Sequence, residues 1–194
     1  MKRKILATFG HGGENPSSYS KFPIHECLVA KTLFEIGIGY VIFTRKSSDG
    51  CIALSAFIVD VYCLGVKNAL FKVSTESEYE NSIKPQLMRS SEEMQFENVH
   101  PTYARKLIEG SVSYAKDLGF SPHRDYNYAK GIFGKIDSCM CPEKIVYGKD
   151  DKPFYIRGPN ESVDQAKQIV GKLSRKLGEE NFDYTIMLDE GLAE

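Results

Sequence analysis

Positions 52–73 (IALSAFIVDVYCLGVKNALFKV) are the longest apolar run of the chain, broken before its last residues only by Asp60 and Lys67. Up to Asp60 the apolar residues fall at odd and even positions alike, so a strand over 52–62 must be covered on both faces and lie inside a sheet. The β-branched and aromatic run 40–45 precedes it across Ser47-Ser48-Asp49-Gly50. Asp-Gly accommodates the positive φ of a tight turn, so these two runs are expected to form a hairpin. Gly65 breaks the long strand, and 69–73 supplies a third antiparallel strand. The run 24–29 after Pro23 is a further strand candidate, followed by a helical turn at 33–36 that Gly37-Ile38-Gly39 ends.

Beyond residue 100 the period changes. Ala104, Leu107, Ile108, Ala115 and Leu118 fall on one helical face, and Gly119 stands where a C-terminal cap belongs, so 101–118 is a helix. Ser162 and Gln165 have the spacing of a capping box, ahead of an apolar stripe of Val163, Ala166, Val170, Leu173 and Leu177 that stops at Gly178. Shorter helices are expected over 77–83, ending near Pro85, and over 126–133, ending at Gly134. Gly148-Lys149-Asp150-Asp151 suggests a second hairpin between 144–147 and 153–157, and 184–188 reads as a last strand. The stretch 88–98 reads as a solvated connection.

That order favours the α+β class: a single domain with a mostly antiparallel sheet centred on 52–62 and two main helices, 101–118 and 162–177, packed on its faces. The domain is expected over 22–188, after a mobile N-terminal segment 1–21 and before a frayed acidic tail 189–194.

Composition changes this picture little. A chain of 194 residues, 42% hydrophobic and 26% charged, is long enough for a substantial core and excludes wholesale disorder. A net charge of −1 removes the overall basic field of a phosphate-gripping protein, so nucleic acid is neither favoured nor excluded as a partner. No apolar stretch suits a membrane span and the Lys-rich start has no long apolar core, so a cytoplasmic protein without a membrane partner is expected. Five dispersed cysteines read as reduced thiols. Cys139-Met140-Cys141 lacks the second pair that zinc needs, leaving only His123 and Cys27 as further ligands. Gly10-His11-Gly12-Gly13 is not followed by Gly-Lys-Ser/Thr, so a P-loop is excluded.

The candidate chemistry starts with the two charges in the apolar run. Asp60 and Lys67 are either an internal ion pair across the Gly65 bend or, with His123, a catalytic set: Asp60 as general base or metal ligand, Lys67 as a phosphate or oxyanion partner. Glu26, Asp60 and Asp125 are the candidate metal ligands, with Glu109 a further carboxylate, since hard Mg²⁺ or Mn²⁺ takes oxygen donors and can activate water on a phosphodiester. A carboxylate on a helix after a hairpin-rich sheet resembles the ribonuclease H-like arrangement. It departs from it because Glu109 points away from the apolar stripe and has Arg105 four residues before it. Within 123–125, His123 can titrate near neutrality, Arg124 can recognise an anion, and Asp125 stands where it could cap the helix at Tyr126. Arg157, beside Gly158 and the helix start, is a minor anion candidate. Alternation along a strand would put His25 and Cys27 on one face, and both Cys27 and Cys63 read as small core residues.

The stretches VDVYCLGVKNAL and YARKLIEGSVSYAKDLGF with the following PHRDY resemble a set of uncharacterised bacterial proteins. That resemblance implies a bacterial, cytoplasmic origin and brings no activity. Two functions are therefore open. One is a metal-dependent phosphodiester hydrolase. The other is a non-catalytic binding or regulatory module for a protein or nucleic acid, offering a surface such as Tyr126, Tyr128 and Lys130.

Overall fold

The computed structural model describes residues 14–88 and 95–186. In chain order the elements begin with a short helix α1 (Pro16–Tyr19), strand β1 (Ile24–Ala30) and a helical turn α2 (Leu33–Ile36). Strands β2 (Ile38–Lys46), β3 (Cys51–Asp60) and β4 (Gly65–Thr75) come next. A helical segment follows, made of α3 (Glu76–Glu78), a π-turn (Tyr79–Ile83) and α4 (Lys84–Met88). Then come strand β5 (Phe96–Asn98), the long helix α5 (Pro101–Asp117) and helix α6 (Tyr126–Ala129), which runs into a 3-10 turn (Lys130–Phe133). Strand β6 (Phe154–Ile156), helix α7 (Val163–Leu177) and strand β7 (Asp183–Thr185) complete the α+β domain. The expectations for 1–13, for the end of the last strand at 187–188 and for the tail 189–194 lie outside the described residues.

An antiparallel sheet of order β4-β3-β2-β1-β5 forms the frame. The β2–β3 hairpin turns where Asp49-Gly50 demands it: Gly50 has φ 85, and the Ser47 N–H donates to the Cys51 carbonyl at 2.9 Å. Strand β3 pairs with β2 on one side and β4 on the other, and is buried on both faces as its pattern requires. On one face Val41, Phe43, Ala53 and Phe57 meet Leu107 and Ile108 of α5 together with Tyr126, Ile132 and Phe133. The opposite face, with Ile42, Ile52, Leu54 and Leu70, meets Tyr79, Ile83 and Leu87 of the helical segment 76–88. Where α5 crosses the start of β4 only glycine fits. Gly65 has φ 67, and a Cβ there would stand 2.8 Å from the Ser111 carbonyl oxygen and from Ala115 Cβ.

Helix α7 opens on the capping box of Ser162 and Gln165 and buries Ala166 and Leu173. Its apolar stripe meets the sheet at one end, in a third cluster with Cys63 and Leu64 of the β3–β4 turn, Leu118, Tyr155 and Phe182.

Several local expectations change for identifiable reasons. The segment before residue 22 is partly ordered: Asn15 caps α1 by accepting from the Ser17 N–H at 3.0 Å, and Tyr19 packs on Phe71. Pro85 does not end the 76–88 segment. The π-turn before it, closed by the Lys84 N–H on the Tyr79 carbonyl, widens the helix where the proline ring would clash and could not donate. The stretch read as a solvated connection contains β5, which pairs with β1. The turn expected at 148–151 forms, with Asp150 and Asp151 at φ 50 and 62 and Lys149 bridged antiparallel to Lys152, but residues 144–147 form no strand beside it. Instead Gly148 N–H donates to Val61 and Phe154 N–H to Tyr62, so this chain lies along the β3–β4 turn, and β6 pairs in parallel with β7.

Candidate functional site

Asp60 ends β3 with its side chain turned into the β3–β4 turn, 6% exposed. Its Oδ1 accepts from the backbone N–H groups of Tyr62 at 3.0 Å and Cys63 at 2.8 Å. Burial pushes its carboxyl up to about 6, against the pull of the Lys67 charge and the turn's N–H groups. Lys67 itself pairs with Glu161, Nζ to Oε1 at 2.6 Å. Glu161 also accepts from the Tyr155 hydroxyl at 2.8 Å and the Gly158 N–H at 2.9 Å. Burial raises the Glu161 carboxyl, but Lys67 and these two donors outweigh it and hold the group below its ordinary range. The anion that the chain places beside Gly158 is thus its own Glu161, and Arg157 Nε donates to the Glu161 carbonyl at 2.8 Å.

His123 comes from a loop docked on β4, its N–H donating at 2.8 Å to the carbonyl of Val66, the residue before Lys67, and its side chain takes a different partner. Its Nδ1 stands 3.5 Å from Asp125 Oδ2, a contact between near neighbours in sequence. The Asp125 side chain makes no capping bond to α6, whose first turn is closed by the Asp125 backbone carbonyl accepting from Ala129.

Glu26 is on the opposite face of the sheet. It accepts from the Tyr79 hydroxyl and holds Lys84 Nζ at 2.8 Å. Among the described residues one group has metal-like spacing: His25, Glu26 and Glu80, with ligand atoms within 4.8 Å of one another. Asp60 and Asp125 are not part of it, so the structure does not bring the three expected metal ligands together. Within this group the Lys84 ammonium already bonds Glu26 and reaches Glu80 at 3.4 Å, so it neutralises the carboxylates that a divalent cation would bind. His25 and Cys27 are parted by a bulge in β1 between Ile24 and Cys27: His25 meets Tyr79 on one face, while Cys27 is buried in the cluster of the other. Burial lifts the Cys27 thiol to about 12, and lifts Cys63 as well, so neither is a ready nucleophile.

The polar side chains that converge on open space are different ones. Between α1, α5 and the segment 126–134 lies a cleft of about 450 Å³ lined by Ser17, Ser20, Arg105, Glu109, Asn127 and Lys130, with Gly131, Phe133 and Gly134 as its floor. Two arginines hold that floor in place. Buried Arg45 donates from Nε to the Ile132 carbonyl at 2.7 Å and from Nη2 to Phe133 at 2.8 Å, and its Nη1 donates to Phe22. Arg105 Nε donates to Glu109 at 2.9 Å, while its Nη1 donates to the Gly134 and Ile136 carbonyls. Ser55 adds a bond to the Ala129 carbonyl at 2.9 Å. Gly131 lets α1 approach, since a Cβ there would lie 2.7 Å from Ser17 Oγ.

Of the surface residues expected for a partner, Tyr126 is buried against Phe57 and Tyr128 packs on Phe71, whereas Lys130 stands exposed over the Tyr126 ring. Arg45 and Ser55 were detectable in principle. Each is a polar residue in phase with inward-facing neighbours, Val41 and Phe43 or Ala53 and Phe57, and such a residue needs a partner above the sheet. Among the described residues no helix is long and apolar enough to cross a membrane. Comparison with known protein families, with curated proteins and with solved structures finds no match.

Proposed function

We propose that the protein is a non-catalytic binding module whose working surface is the cleft between α1, α5 and 126–134. One observation carries this reading: the cleft gathers donors that the fold does not use. Among the described residues the Lys130 ammonium has no ion pair, Arg105 Nη2 has no bonded partner, and the Asn127 amide and the Ser17 hydroxyl are uncommitted. The groups that a hydrolase would need are occupied instead: Asp60 by the β3–β4 turn, Lys67 by Glu161 and Glu26 by Tyr79 and Lys84. Five unpaired thiols suit a reducing compartment such as the cytoplasm.

The test is a thermal-shift panel of small charged and neutral compounds on the wild type and on Asn127→Trp, which fills the cleft. A ligand that binds only the native state raises the transition. The expected result is at least one compound class that raises the wild-type transition and leaves the variant unmoved. Phosphodiester cleavage supported by Mg²⁺ or Mn²⁺ and abolished by Glu26→Gln would instead make the protein an enzyme, built on the His25, Glu26 and Glu80 group.

A further inference from the structure

We propose that the ligand of the cleft is a small phosphate monoester, an inference that rests on the binding-module reading above. Charge comes first. Three of the lining side chains are charged, and two of them cancel: Arg105 Nε donates to Glu109 Oε1 at 2.9 Å, and the Ser138 hydroxyl donates to the other carboxylate oxygen at 3.1 Å. Lys130 is left as an uncompensated cation, so the cleft attracts an anion.

Geometry selects the kind of anion. The residues that carry the uncommitted donors line the cleft from three separate elements: Ser17 in α1, Arg105 in α5, and Asn127 with Lys130 in the segment that starts at α6. A planar carboxylate has two oxygens in one plane and is best met by a single fork of parallel donors, whereas a phosphoryl group presents three oxygens around a tetrahedral centre and can take donors from several sides. The Ser20 hydroxyl already donates to the Ser17 carbonyl at 2.7 Å, so it is left to accept, as a hydroxyl-bearing ester substituent would require.

Size and charge together exclude a polymer. A cleft of about 450 Å³ holds a phosphoryl group with a compact substituent. Among the described residues the cleft lining offers one uncompensated cation, Lys130, too little for a nucleic-acid backbone, whose affinity comes from many neutralised phosphates.

The experiment is an ¹⁵N-resolved NMR titration of the full chain with glycerol 1-phosphate, acetate and a short single-stranded DNA, repeated on Lys130→Gln and Lys130→Arg. Lys130 is exposed, so neither change threatens folding. Glycerol 1-phosphate is expected to shift the amides of 127–134 and the Asn127 side chain to saturation, with affinity rising as pH passes about 6 and the ester takes its second charge. Lys130→Gln should weaken binding about tenfold or more, and Lys130→Arg should restore most of it. Acetate and DNA should leave the cleft unmoved. Equal, Lys130-dependent shifts with acetate would overturn the phosphate assignment while leaving the binding module standing. Saturable binding of DNA through the same amides would also overturn it. No response of the cleft to any of the three would overturn the phosphate assignment, and with a null result in the thermal-shift panel the module reading falls too.

Discussion

The ionisation of Asp60 is expected to destabilise this protein at neutral pH, and replacing it by asparagine should remove that cost. The carboxyl ionises at about 6 in the folded chain because burial penalises its charge, against an ordinary value of 3.8. The sign follows from linkage. A carboxyl whose folded pKa is raised binds its proton more tightly in the native state, so its contribution to stability is complete below about pH 4 and is lost as pH rises through about 6. The difference between the two values is worth about 3 kcal/mol at about 1.4 kcal/mol per pH unit. Asparagine keeps an Oδ1 that can accept from the Tyr62 and Cys63 N–H groups, and it cannot ionise. The neighbouring charged and titratable groups are Lys67, Cys63 and Tyr114. Burial pushes the Cys63 thiol and the Tyr114 hydroxyl further from neutrality, so neither of these two neighbours adds a slope in this window.

Urea unfolding followed by far-ultraviolet circular dichroism, from about pH 4 to about pH 8, measures the effect as the difference between wild type and Asp60→Asn. Subtraction removes the opposite slope of Glu161, whose lowered pKa gives stability that is lost as pH falls. The wild type should lose ground to the variant by up to about 3 kcal/mol across this range, less whatever the new amide costs if it finds no partner. A variant that falls behind the wild type by a constant amount at every pH would refute the argument, because Asp60 would then be ionised throughout and its carboxylate would be a net stabiliser.

Arg45→Met should destabilise by at least about 3 kcal/mol, because it leaves the Phe22, Ile132 and Phe133 carbonyls without their donor; loss of order at 130–133 in hydrogen exchange would locate the damage there. Gly65→Ala forces a side chain into positive φ and against α5, and should cost more than about 2 kcal/mol in the same unfolding assay. Alkylation of the native protein should mark exposed Cys139 first, with buried Cys27 and Cys63 reacting only when the chain unfolds; mass spectrometry of the labelled peptides reads the order.

Much of the frame is written locally. The hairpin at Asp49-Gly50, the long strand buried on both faces, helix α5 and the capping box of α7 each depend on residues a few positions apart, and each forms where its pattern places it. What escaped depends on distance along the chain. The bulge in β1 changes the face of every residue beyond it, so alternation joins His25 to Cys27 while the structure separates them. Lys67 reads as Asp60's partner because the two are seven residues apart, but the carboxylate it bonds comes from Glu161, far along the chain just before α7. The local hairpin that Gly148 and Asp150-Asp151 suggest forms only its turn, bridged from Lys149 to Lys152, while strand β6 finds β7 across an intervening helix. The cleft was least legible of all: Glu109 with Arg105, and Lys130, stand out in the sequence for separate reasons, and only the fold gathers them beside Ser17 and Asn127.

The third apolar cluster has a thermodynamic meaning of its own. Tyr155, Ala166, Leu173 and Phe182 bury themselves with Cys63, Leu64 and Leu118, apart from the two clusters that sandwich the sheet. The seam between the β3–β4 turn and the segment from β6 to β7 runs through this small core, so opening there exposes seven buried residues while the two clusters that hold the sheet keep their own packing. A protease or a denaturant pulse should find that seam first, releasing the C-terminal unit from a sheet that is still intact.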